Sequence, residues 1–110
     1  SLHSYQGFIG NLNNFFPLLK NGGYYFLEDF ATSDNRLFRR REFNKKNGKS
    51  MQLYNLSMSE IFEFVSNHEI FQSDYFSENH QVYLHKNVKK IEKFYLEFPE
   101  SSLALLTKND

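Results

Sequence analysis

The sequence contains no cysteine, which excludes a disulfide framework and thiolate chemistry and fits a reducing cytoplasm. It also lacks any apolar run approaching the ~20 residues of a membrane span. No signal-peptide pattern opens it, so the expected location is cytoplasmic. Charge of either sign is not in excess. Thirteen Lys and Arg balance thirteen Asp and Glu, and the molecule has no bulk attraction for nucleic acid or anionic lipid. Repeats and low-complexity tracts are absent as well. These absences leave one soluble domain spanning residues 1–110, near the lower end of the usual size range. What is abundant is aromatic: thirteen Phe and seven Tyr. Rings in that number have to be buried in this chain's core or against another chain.

Phe8, Ile9, Leu12, Phe15, Phe16 and Leu19 recur at helical spacing between Gly7 and Lys20, which predicts an amphipathic helix. Pro17 removes a backbone donor and disfavours helix at Phe16, so a kink or a restarted last turn is expected there. Asn21-Gly22-Gly23 then supplies left-handed residues to end the helix and turn the chain. Tyr24 to Leu27 is short and apolar on both faces. That pattern predicts a strand covered on both sides, as in a parallel sheet. The acids Glu28 and Asp29 close it abruptly.

Residues 34–50 read as a polar, basic loop carrying Arg36, Arg39, Arg40, Arg41, Lys45, Lys46 and Lys49. Ser57 and Glu60 have capping-box spacing, with Met58, Ile61, Phe62 and Val65 on one face of the helix they start. A short helix is expected near Glu78 to Leu84. Val88, Ile91, Phe94 or Tyr95, and Phe98 suit a helix, while Phe94, Leu96 and Phe98 alternate as in a strand. A hairpin of two strands, roughly 89–97 and 102–108, is the favoured reading, with a turn at Phe98-Pro99-Glu100-Ser101. Leu103 to Leu106 is apolar on both faces, as a central strand should be, whereas 89–97 carries Lys and Glu like an edge strand. The expected order therefore places 102–108 between 24–30 and 89–97, antiparallel to both.

"HSYQGFIGNLNNFFPLLKNGGYYFLEDFATS" resembles the segment from the fourth to the fifth strand of class I S-adenosylmethionine-dependent methyltransferases, in the branch of metal-dependent small-molecule and sugar O-methyltransferases. "NVKKIEKFY…SSLALLTK" is similar to the antiparallel hairpin of the sixth and seventh strands that ends that fold. The match covers 3–33 and 87–108. Asn21 stands where the family usually has Pro, and no Gly-x-Gly-x-Gly loop or first three strands are present to hold the cofactor. The resemblance implies an α/β, partial Rossmann-like methyltransferase fold: helix, buried parallel strand, helix and C-terminal antiparallel hairpin. It further implies S-adenosylmethionine as cofactor, a small-molecule or sugar acceptor, and no catalysis without the half that binds the cofactor.

By the same resemblance, Glu28 and Asp29 help to hold a divalent metal, and His3 acts as general base toward the acceptor hydroxyl, a task suited to a pKa near neutrality. Two carboxylates with waters and a substrate diol would suit Mg²⁺; a helix cap or a salt-bridged pair is the alternative for the same residues. The arginines can fork around phosphate, or simply be solvated. Of the interleaved aromatics that a nucleic-acid surface wants, only Phe38 and Phe43 are present, so no nucleic-acid or membrane partner is expected. His68, His80 and His85 show no ligand spacing and read as surface or satisfied core residues. In the resembling fold the strand at 24–30 pairs on its other side with a strand that ends before Ser1. An open edge beside Tyr24, Tyr25 and Phe26 is then expected, to be covered by a second copy or by an N-terminal half.

Overall fold

The computed structural model describes residues 5–48, 56–96 and 101–110. The expected turn at 98–101 falls largely outside them. α1 (Tyr5–Phe15) runs into a 3-10 turn at Phe16–Leu18, with Pro17 at its start. The missing proline N–H breaks the α ladder where it was expected to. Phe8, Ile9, Leu12 and Phe16 are buried, but Phe15 and Leu18 face solvent. Gly22, at φ 77°, makes the left-handed turn into β1 (Tyr24–Glu28).

β1, β2 (Val88–Tyr95) and β3 (Ser102–Lys108) form one sheet in the order β1-β3-β2. β3 is antiparallel to both neighbours, in the expected order. The expectation of a parallel strand buried on both faces is corrected. β1 is an edge strand paired antiparallel with β3, and Tyr24 and Phe26 are 57% and 58% exposed. The reason is that the helices cover one face of the sheet. Leu27, Ala104 and Leu106 point into the core with Phe8, Ile9, Leu12, Ile61 and Leu84, while the alternate β1 residues point away from it. The chain is thus a mixed helix–strand domain with a three-stranded antiparallel sheet.

Residues 34–50 are the second correction, since most of the expected loop lies in α2 (Phe30–Lys46). Arg, Lys, Glu and Leu are good helix formers without any apolar stripe. The stripe is missing because the second half of α2 extends past the core: Phe38 and Phe43 are exposed there. The first half is fixed. Asp34 is buried, and its carboxylate accepts from Met58 N–H at 2.7 Å, Ser59 N–H at 3.2 Å and the Ser59 hydroxyl at 2.6 Å.

Those amides open α3 (Met58–Ser66). Ser57 completes the cap, its Oγ accepting from Glu60 N–H at 3.0 Å while Glu60 Oε1 accepts from Ser57 N–H at 3.0 Å. This is the capping box read in the sequence, and Met58, Ile61, Phe62 and Val65 are all buried as that reading required. α3 ends with Glu69 N–H on Phe64 O and His68 N–H on Val65 O, and His68 takes φ 55° in the position where glycine is usual.

Burial alone would raise the Glu60 pKa. The Ser57 N–H bond and the Arg41 guanidinium, 2.8 Å from the carboxylate, outweigh it and hold the group below its ordinary value. A depressed folded pKa gives stability that is present above the unfolded value and is lost as pH falls through the folded one. Arg41→Ala should therefore flatten the acid limb of the stability–pH curve below about pH 4.5, measured by chemical denaturation from pH 3 to 7. The pair is part-exposed, so its effect at neutral pH is expected to be small.

α4 (Glu78–Asn87) is capped by Ser77, whose Oγ accepts from His80 N–H. Its Gln81 is buried and organises the preceding segment. Oε1 accepts from Phe71 N–H at 2.9 Å, while Nε2 donates to Phe71 O at 2.8 Å and Phe76 O at 2.9 Å. Phe71 and Phe76 are thereby held edge-to-face in the core, with ring centroids 5.5 Å apart.

Candidate functional site

Two places on this fold bear on function: the junction at the end of β1, and the outer edge of β1 itself. At the junction Glu28 is exposed and Asp29 half-buried, so the acids do end the strand at its open end. Asp29 adopts the left-handed conformation, φ 59°, at the N-cap of α2, but its side chain makes no cap bond. Ser102 supplies the cap from β3 instead. Its Oγ accepts from Ala31 N–H at 3.0 Å, and its carbonyl accepts from Asp29 N–H at 2.8 Å. Phe30 is fully buried between Phe62 and Tyr95, both at 5.7 Å between ring centroids.

Among the described residues no group of three His, Cys, Asp or Glu is placed to hold an ion. Glu28 and Asp29 stand as an adjacent pair of carboxylates at the end of β1. His3, the general base implied by the resemblance, lies outside the described residues.

The edge of β1 is defined by its hydrogen-bond parity. Lys108 N–H donates to Gly23 O at one end of the β1–β3 ladder, and Asp29 N–H donates to Ser102 O at the other. With Tyr25 opposite Leu106 and Leu27 opposite Ala104 between them, the odd-numbered residues of β1 bond inward to β3. In an antiparallel pair the intervening residues point their amides and carbonyls the other way. The backbones of Tyr24, Phe26 and Glu28 therefore face the open edge, and their side chains are the exposed ones.

The opposite edge of the sheet is different. β2 carries Lys89, Lys90, Glu92 and Lys93, and its register shifts between Val88 and Lys90, leaving Lys89 as a bulge. Lysines and bulges are the usual means of keeping an edge strand from pairing. β1 has neither. Its single charge is Glu28 at the end.

The remaining candidates do not converge. Arg36, Arg39 and Arg40 share one exposed side of α2, while Arg41 turns to Glu60 and lies 5.6 Å from the Phe38 ring centroid. A groove of about 360 Å³ on α2 is lined by Phe38, Arg39, Glu42, Phe43 and Lys46. Glu42 places a carboxylate between its two cations, which opposes phosphate. The His68 and His85 rings stack at 5.4 Å. His85 is half-buried, and its Nε2 is buried without a hydrogen-bond partner. Among the described residues no helix is long and apolar enough to cross a membrane.

Compared with known proteins, the chain matches no family model, no curated protein and no solved structure.

Proposed function

We propose that this chain is an association module, a half-sheet that works by joining another polypeptide strand along β1. The observation that supports the reading is the unguarded β1 edge: Tyr24, Phe26 and Glu28 turn both backbone and side chains outward, while β2 is lysine-rich and bulged. Such an edge beside exposed aromatics is a template for strand addition. Hydrogen exchange tests it. In the associated state the amides of Tyr24, Phe26 and Glu28 should exchange as slowly as those of Tyr25 and Leu27, and fast exchange at the three outward positions under all conditions would refute it.

A second reading is favoured by the sheet order. β3 lies between β1 and β2 and antiparallel to both, as the resemblance places its seventh strand between the fifth and the sixth. On that reading the chain is the acceptor-side portion of an S-adenosylmethionine-dependent O-methyltransferase. A cofactor-binding portion occupies the β1 edge, and a small-molecule or sugar acceptor meets the sheet near Glu28. A Gly-x-Gly-x-Gly strand–loop–helix encoded upstream of Ser1 is the expected finding for this case, and unrelated coding sequence counts against it.

A further inference from the structure

The β1 edge also specifies a partner. Only the even residues Tyr24, Phe26 and Glu28 have outward-facing amides and carbonyls, so an added strand has to present its own outward residues opposite these. For a second copy of β1 running antiparallel, one register pairs all of them: Phe26 opposite Phe26, and Tyr24 opposite Glu28 in both directions. A shift by one residue would turn the exposed side chains of one strand toward the core side of the other. A shift by two would leave an outward residue at each end unpaired.

The side chains in this register match. Directly opposed residues of an antiparallel pair project from the same face. On the exposed face each Tyr24 hydroxyl meets the Glu28 carboxylate of the other copy, a charge-assisted bond formed twice. The two Phe26 rings meet at the centre. On the core face Tyr25 lies opposite Leu27. Resting on the association reading above, we propose that two copies of this chain join antiparallel along β1 about a twofold axis at Phe26. The product is a continuous sheet with both lysine-guarded β2 strands at its outer edges. A twofold interface uses the same patch on both subunits, and this patch is complementary to itself.

The test is the oligomeric state of the full chain by light scattering and sedimentation at micromolar concentration, with amide exchange read in parallel. The wild type is expected to be a dimer. Tyr24→Glu sets two carboxylates opposite each other at both ends of the ladder and should weaken dimerisation roughly tenfold or more. Tyr24→Glu combined with Glu28→Lys restores opposite charges and should recover it. Phe26→Lys guards the edge and should give a monomer, its fold checked by circular dichroism. Because the chain has no cysteine, Phe26→Cys offers a unique thiol, and a short bis-maleimide should link two copies through it. A dimer indifferent to Tyr24→Glu would overturn this register. A wild-type monomer with fast exchange at Tyr24 and Phe26 would overturn the second copy as partner while leaving the edge open to another strand. A monomer with those amides protected would overturn the association reading as well.

Discussion

Replacing Asp34 by alanine should destabilise the fold by about 3 kcal/mol, read as a lowered urea midpoint with an unchanged slope. Asp34 is buried on α2 and accepts three hydrogen bonds at the start of α3, from the Met58 and Ser59 amides and the Ser59 hydroxyl. Alanine would leave the buried Met58 amide and the part-buried Ser59 amide without this acceptor, and an orphaned buried donor bears its full desolvation cost. It would also remove a negative charge from the positive end of the helix dipole. Asn is the informative comparison. It keeps one acceptor oxygen but turns an amide toward the remaining donor, so roughly half the loss is expected. A loss below about 1 kcal/mol for alanine would show that the carboxylate does not hold α2 to α3.

Gln81→Leu should cost a similar amount, about 3 kcal/mol, although it conserves volume and adds apolar surface. The amide of Gln81 bonds Phe71 N–H, Phe71 O and Phe76 O. These backbone groups lie in irregular chain between α3 and α4, with no helix or strand to satisfy them. Leucine leaves them buried and unbonded. Hydrogen exchange separates this from a general loss of packing: the Phe71 amide should lose protection before the amides of β3 do.

How much of this could be read in advance follows from which forces were local. The α3 start was legible because a capping box is a four-residue device, and its apolar stripe coincides with the buried set. The order β1-β3-β2 was legible because Leu103 to Leu106 and the charges of 89–97 separate a central strand from an edge strand. α2 was not legible by periodicity, since only Phe30, Ala31 and Asp34 among its described side chains are buried. Propensity alone carried that signal. β1 misled for the opposite reason. Tyr24 and Phe26 read as core by composition, yet only Leu27 of that strand is fully buried. An apolar residue on an uncovered face looks the same in sequence as one in a core. At the candidate site the acids were placed correctly at the strand end. The Ser102 cap that occupies the junction lies 71 residues from Ala31, and no local pattern could have announced it. Lys108 is another such long-range contact: it is buried, and its Nζ donates to Pro17 O and Leu19 O.

The central strand is also late in the chain, and this orders events during synthesis. β1 and β2 pair with β3 and not with each other. While the ribosome is still making residues 30–101, β1 lacks the strand it pairs with, and the edge it will give to β3 is unbonded. The 3-10 turn after α1 is no better placed, because the lysine that captures the carbonyls of Pro17 and Leu19 arrives at position 108. Helices can form on the nascent chain, but the sheet can close only after β3 has cleared the exit tunnel. Until then Tyr24, Tyr25 and Phe26 form a sticky strand on a polysome, where neighbouring chains carry the same segment. Holdase chaperones would find their target in the segment that carries Tyr24, Tyr25 and Phe26.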